Sequence, residues 1–225
     1  MKKIPSTLLF LVLLAPLVQA QYLTDINGRA VTEQQYTDVE GSPYLKDKWY
    51  LGTIRAQNGK VYDGVKMRYD AYKDEVEYEQ QGKMYRLGAA ETLEFSIPTD
   101  DDLYIFRRGF PKVDRQTDAS FYRVLHDGNT KLLKRYENRM RDEKPYNSAT
   151  VTRRFEPSEK LYVLKGGTMY PIKKNDRKGM LKILSDRKRT MEYAIKEQQL
   201  DFRTESDIIK ILEEYDAYQA GDGKY

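Results

Sequence analysis

The chain contains no cysteine, a single histidine, His126, and a single tryptophan, Trp49, among its 225 residues. Without a thiol it can have no cysteine nucleophile, no disulfide and no thiolate metal site. One histidine excludes a histidine-rich zinc centre. A Ser-His-Asp triad would have to use His126, whose place beside Asp127-Gly128 reads as a strand end near solvent. No G-x-S-x-G elbow, P-loop or dinucleotide fingerprint occurs, and there is no repeat of about 20–50 residues and no low-complexity tract. Beyond the N-terminus, no segment approaches the roughly 20 apolar residues of a membrane-spanning helix. Excess charge is also scarce: 39 basic residues face 35 acidic ones, for a net charge of +4. That balance lacks the concentrated basic face that nucleic acid requires.

The chain opens with MKKIPSTLLFLVLLAPLVQA. Lys2 and Lys3 form a positive start, Leu8 to Val18 is an apolar run broken by Pro16, and Val18 and Ala20 are small residues at the positions a signal peptidase reads. The pattern predicts a bacterial signal peptide over 1–20 and a mature chain from Gln21, exported to the periplasm or beyond. The absence of cysteine after the cleavage point excludes a lipid anchor there. A mature chain of this size suits one domain, or one domain with an appendage. With no disulfide, packing and hydrogen bonds must hold it together.

Glycine-containing turns punctuate the middle. Asn58-Gly59 and Asp127-Gly128 predict two-residue hairpins of type I′, with Gln81-Gly82 and Gly166-Gly167 as further candidates. Between them the residues alternate. Val65, Met67 and Tyr69 point one way, with Val76 and Tyr78 in the same phase. Lys66, Arg68 and Asp70 point the other way, as do Glu75, Glu77 and Glu79. This period of two predicts an antiparallel sheet wet on one face, with Lys66 and Arg68 paired across strands to the glutamates. KWYLGTIRA, MYRLG, TLEFSIP, LYIFRRG, SFYRVLHDG, TKLLKRYEN, ATVTRRF and the hairpin KLYVLKGGTMYPIK bring the count to about ten strands, with RMRDEKPYNS as a polar loop. Trp49 is expected to anchor the core of the first strand.

From Lys173 the period changes to that of short helices. Met180, Leu181 and Leu184 line one, and Met191 and Ile195 a second with Ser185 as its cap. Ile208, Leu212 and Tyr215 line a third, widened by Ile209 and Ile211, with Thr204 and Asp207 as a capping box and Gly221 as its stop. Short helices do not stand alone in water, so these stripes must pack. The predicted organisation is a leader over 1–20, an extended segment over 21–47 ending in the turn GSPY, an antiparallel β domain over 48–173 (a curved sheet, meander or barrel-like sandwich) and a helical element over 174–221. The fold class is α+β, mainly antiparallel β.

The segment GSPYLKDKWYLGTIRAQNGKVYDGVKMRYDAYKDEVEYEQQGKMYRL resembles a pattern of secreted and periplasmic proteins of Bacteroidota, and the tail from LKILSDRK to ILEEYD resembles their helical ends. The resemblance spans most of the mature chain and implies compartment and architecture. The group has no established activity, so it implies no catalytic residue.

The remaining clusters read more simply as surface than as chemistry. Asp100, Asp101 and Asp102 could offer oxygens to calcium, but they lack the spaced D-x-D-x-D-G pattern and suit a solvated loop. Glu75, Glu77 and Glu79 could supply glycosidase carboxylates only across a cleft, and they are placed on the wet face. The 19 tyrosines could stack on sugars, but a core rim with hydroxyls reaching water accounts for them. The basic run Lys131 to Arg141 reads as a solvated strand and loop, and the DRKRT cluster lacks the bulky aromatics of an interfacial helix. No catalytic, cofactor-binding or metal-ligating residue is nominated, and no cofactor is expected. The leading expectation is a non-enzymatic binding or structural accessory protein of the cell envelope, its partner an envelope protein or glycan rather than nucleic acid. The alternatives are a carrier holding an apolar ligand in the curved sheet and a carboxylate-dependent hydrolase.

Overall fold

The computed structural model describes residues 28–31, 36–144 and 151–221. The expected leader, its cleavage site and Gln21 lie outside them. The N-terminal segment supplies two short strands, β1 (Arg29–Ala30) and β2 (Val39–Glu40). The alternating region then gives β3 (Tyr50–Ala56), β4 (Val61–Asp70), β5 (Glu75–Gln80), β6 (Lys83–Leu87), β7 (Thr92–Pro98), β8 (Leu103–Arg107) and β9 (Tyr122–Asp127). After them come β10 (Lys131–Glu143), β11 (Thr152–Lys165) and β12 (Thr168–Ile172). Three helices follow, α1 (Arg177–Ile183), α2 (Lys188–Glu197) and α3 (Glu205–Gly221). None is long and apolar enough to cross a membrane.

The described strands form one mainly antiparallel sheet in the order β1-β6-β5-β4-β3-β7-β8-β9-β10-β11-β12, with β2 added in parallel to β11. The sheet curls without closing. β3, β7, β8 and β9 separate β4 from β10 in the order, yet Asn138 of β10 donates its backbone N–H to Ala71 just beyond β4 at 3.1 Å. Inside the curl the alternating residues do what period two dictates: Val65, Met67, Tyr69, Val76 and Tyr78 are buried with Ile54, Phe95, Phe106 and Phe121. Phe95 and Phe106 stack at 4.7 Å, and Tyr69 lies 5.0 Å from Phe106. Each such side chain contributes about 1.5–3 kcal/mol of burial.

The helices cover one face of the other end of the sheet. Met180, Leu184, Met191, Ile195, Ile208, Ile211, Leu212 and Tyr215 pack on Leu132, Leu161 and Val163. The opposite face of these strands is covered too, by Phe110 and Tyr122 on Leu133, Tyr162 and Met169. β10 is thus buried on both sides over its first half, and the expected solvated basic strand is not there. Lys134 and Arg135 are buried beside Leu132 and Leu133.

The hairpins occur where predicted, but their geometry differs. At Gln81-Gly82 and Gly166-Gly167 both residues have positive φ, as type I′ requires. At Asn58-Gly59 only the glycine does, and at Asp127-Gly128 neither does. That last connection is a longer loop, because α3 leans on it and Asp216 accepts from Thr130 N at 3.0 Å. RMRDEKPYNS is not a loop throughout: β10 runs on to Glu143, paired with β11 over its whole length, and the part of ATVTRRF from Thr152 is one continuous strand with KLYVLK. Cross-strand ion pairs hold this ribbon extended, among them Arg141–Glu156 at 2.5 Å and Arg154–Glu143 at 2.7 Å. Thr204 caps α3 as expected, its Oγ1 accepting from Asp207 N. Ser185 instead begins a 3-10 turn ahead of α2, which has no side-chain cap.

Candidate functional site

The N-terminal segment behaves as a strap rather than a loose edge. Pro43 O accepts from the N–H groups of Ala71 and Tyr72, Leu45 N donates to Tyr69 O, and Asn138 Nδ2 donates to Ser42 O at 2.9 Å. β1 holds one end of the sheet and β2 the other. Tyr44, turned by the bond from its own N–H to Ser42 Oγ, lays its ring 3.5 Å from the Arg68 guanidinium, and Trp49 flanks the same guanidinium at 4.5 Å. Trp49 is therefore half-buried on the charged face beside Arg68, and not a core anchor.

The charged face of β4, β5 and β6 is wet at Lys66, as expected, but dry beneath the strap at Asp70, Glu77 and Arg86. Glu77 is 1 % exposed and accepts from Arg68 Nε at 2.9 Å and Arg86 Nη2 at 2.5 Å. Burial pushes its pKa up, but the bonds from Arg86 and Arg68 outweigh it and hold the carboxyl below the usual glutamate range. Asp70, fully buried, accepts from Tyr36 OH and from the N–H groups of Tyr72 and Lys73. Burial raises its pKa, with the Glu77 charge adding to the rise. Glu75 pairs with Arg29 and Glu79 with Lys66, partly accessible pairs in which the expected cross-strand charge matching holds.

A second buried network links β10 to the end of β4 and the β4–β5 turn. Arg135 donates to Tyr69 OH, Asp74, Phe121 O and Gln116 within 3.2 Å. Burial disfavours its charge, but Tyr69 and Asp74 more than compensate and raise its pKa. Tyr36, Tyr44, Tyr162 and Tyr215 likewise place their hydroxyls against Asp70, Arg68, Asp114 and Asp186. These four hydroxyls meet charged side chains, whereas Tyr72, Tyr170, Tyr193 and Tyr218 are exposed, as the expected rim would be. Tyr122 OH is buried without a partner among the described residues, and burial pushes its pKa up to about 12.

Three open grooves lie along the ribbon. One of about 390 Å³ runs between the strap (Ser42, Tyr44, Asp47) and Asn138, Phe155 and Pro157. Another of about 470 Å³ is lined by Asp114, Arg115, Gln116, Glu137, Arg139 and Lys160. A third, of about 570 Å³, lies between β2 and the start of β11. The carboxylates of the first two grooves are occupied: Glu137 by Gln116 and Arg139, Asp114 by Tyr162 and Lys160, Asp47 by Ser42, Glu159 by Lys134. The void beneath Leu45, Tyr50, Tyr69 and Ile97 is only about 10 Å³, about the room of one water.

The other residues singled out from the sequence are brought to no common place. Asp100 pairs with Lys48, Asp102 with Arg123, and Asp101 is exposed, in the loop between β7 and β8. Among the described residues no group of three acidic or histidine side chains could hold a metal ion. His126 lies at the end of β9 as expected and is partly accessible, but its Nε2 is buried, 3.6 Å from Asp216 Oδ2, with no hydrogen-bond partner among the described residues, serine included. The buried networks of Glu77 and Arg135 were missed. Their one sequence signal was the opposed charge of β4 and β5, and nothing local announced the strap above it.

Compared with protein-family models, curated proteins and solved structures, the chain gives no match in any of the three.

Proposed function

We propose that this chain is an exported, non-enzymatic binding or structural accessory protein of the bacterial cell envelope, of the kind its sequence resembles in Bacteroidota. The observation that carries the reading is the use of its ionisable groups. The buried carboxylates Asp70 and Glu77 are sealed under the strap with their oxygens bonded to Tyr36, Arg68, Arg86 and backbone N–H groups. A hydrolase needs such a pair facing substrate across a cleft. An apolar carrier needs a lined hollow, whereas Tyr69, Phe95, Phe106 and Phe121 fill the inside of the curl. What remains accessible is a set of shallow polar grooves beside a long ribbon, which suits a protein or glycan partner. Expressed with its full N-terminus in a Bacteroidota host, the protein should be recovered outside the cytoplasm. Native mass spectrometry should then give an N-terminus at Gln21, no co-purifying lipid, and a macromolecular or glycan adduct when envelope extract is added. Retention in the cytoplasm, a stoichiometric lipid, or turnover of glycoside or ester substrates would each defeat the reading.

A further inference from the structure

The edges of this sheet are not treated alike. The outer edge of β6 is covered by β1, and Val31 N bonds to Met84 O. In β12 the two-residue turn makes Lys165 and Thr168 the hydrogen-bonded closing pair, so Met169 and Pro171 turn their backbones outward. Pro171 has no N–H to offer a further strand. On β11 the residues opposite Asn138 and Met140 are Pro157 and Phe155. Because Asn138 directs its N–H away from β11 to Ala71, these pairs are the non-hydrogen-bonded kind, and Pro157 blunts that edge as well.

The outer edge of β10 has no such protection. β9 covers it only from Lys131 to Lys134, and among the described residues no backbone bonds to the side of Arg139–Glu143 that faces away from β11. By the same alternation Met140 and Asp142 turn their N–H and C=O groups outward, with neither a proline nor a bulge. We propose that this edge is the interface of a homodimer, in which two ribbons join antiparallel across a two-fold axis at Arg141. Met140 of one protomer exchanges both backbone hydrogen bonds with the partner's Asp142, and the reverse. Arg139 then faces the partner's Glu143 at both ends. The two Arg141 side chains meet at the centre, each already drawn to Glu156 of its own chain. The neighbouring registers are worse. Centring on Met140 opposes Arg139 with Arg141 and requires the N–H that Asn138 gives to Ala71. Centring on Asp142 sets Met140 against Lys144, beyond the end of β10 at Glu143, so fewer strand residues pair.

The absence of native cysteine makes the test clean. In the mature chain, single substitutions Arg139→Cys, Arg141→Cys and Glu143→Cys are oxidised, and dimer formation is followed on non-reducing gels. A non-hydrogen-bonded antiparallel pair holds its Cα atoms about 4.5 Å apart, within disulfide range, whereas like residues at 139 or 143 are about 13 Å apart. Arg141→Cys should therefore cross-link at least ten-fold faster than the other two. Adding Met140→Pro to Arg141→Cys should slow it about ten-fold. Adding Arg139→Glu should slow it too, and Arg139→Glu with Glu143→Arg should restore it. Equal rates at the three positions, a maximum at 139 or 143, or indifference to Met140→Pro and to the charge swap would overturn the proposal.

Discussion

Glu77 is the buried carboxylate shared by two guanidiniums. Glu77→Ala takes from Arg68 and Arg86 the carboxylate that both bind, and the expected loss is about 3–5 kcal/mol, read from urea denaturation at neutral pH. An exposed pair of the ribbon such as Arg153–Asp142, both side chains 60 % accessible, is a control expected to cost no more than about 1 kcal/mol because solvent screens it. The two buried carboxylates also respond to pH with opposite signs. Asp70 has its pKa raised above the ordinary 3.8, so its charge costs stability at neutral pH, and that cost is relieved as pH falls through the raised value. Glu77 is lowered from 4.5, so its contribution is present above 4.5 and is lost only as pH falls through the lowered value. The stability of Asp70→Asn relative to the native protein should therefore be greatest near neutral pH and decline as pH is lowered toward about 4. A flat difference across that window would show that the Asp70 pKa is not raised.

Turns and caps decide how the elements join. Gly128 has no room for a side chain: a Cβ there would collide with Asp216 Oδ2 and come within 2.5 Å of His126 Nε2. Gly128→Ala should push α3 off the β9–β10 connection and cost about 1–3 kcal/mol, with hydrogen exchange accelerated at Thr130 and along α3. Thr204→Ala removes the acceptor for Asp207 N and should cost about 0.5–2 kcal/mol, seen as a lower denaturation midpoint with unchanged slope. Both helix content and hairpin positions were legible in the sequence, because 3.6-residue and two-residue periods and turn residues act over a few positions. The turn type at Asp127-Gly128 was not legible, since Asp216, which reshapes it, arrives from 88 residues further on in the chain.

For the whole molecule, the strap is what turns a curled sheet into a sealed one. It bonds to β4, β6, β10 and β11, and its tyrosines cover Asp70 and Arg68. A chain begun at Lys48 should lose cooperative unfolding and bind a hydrophobic dye at neutral pH, because the buried charges of β4, β5 and β6 would face water beside an uncovered sheet. If that truncated chain unfolds with the midpoint of the full protein, the strap is ornamental and the burial of Glu77 carries no structural weight.

The alternation of apolar and charged residues sufficed by itself to set the sheet, its antiparallel pairing, the hairpin sites and the faces of Val65, Met67, Tyr69, Val76 and Tyr78, since these follow from backbone period and local turn chemistry. Tertiary structure alone decided which charged face stays wet, which strand is buried on both sides and where the Trp49 ring lies. Burial depends on what covers a strand, and at Glu77, Lys134 and Arg135 the cover comes from segments far away in sequence. Their charge was visible in the chain, but the partners that make their burial tolerable were not.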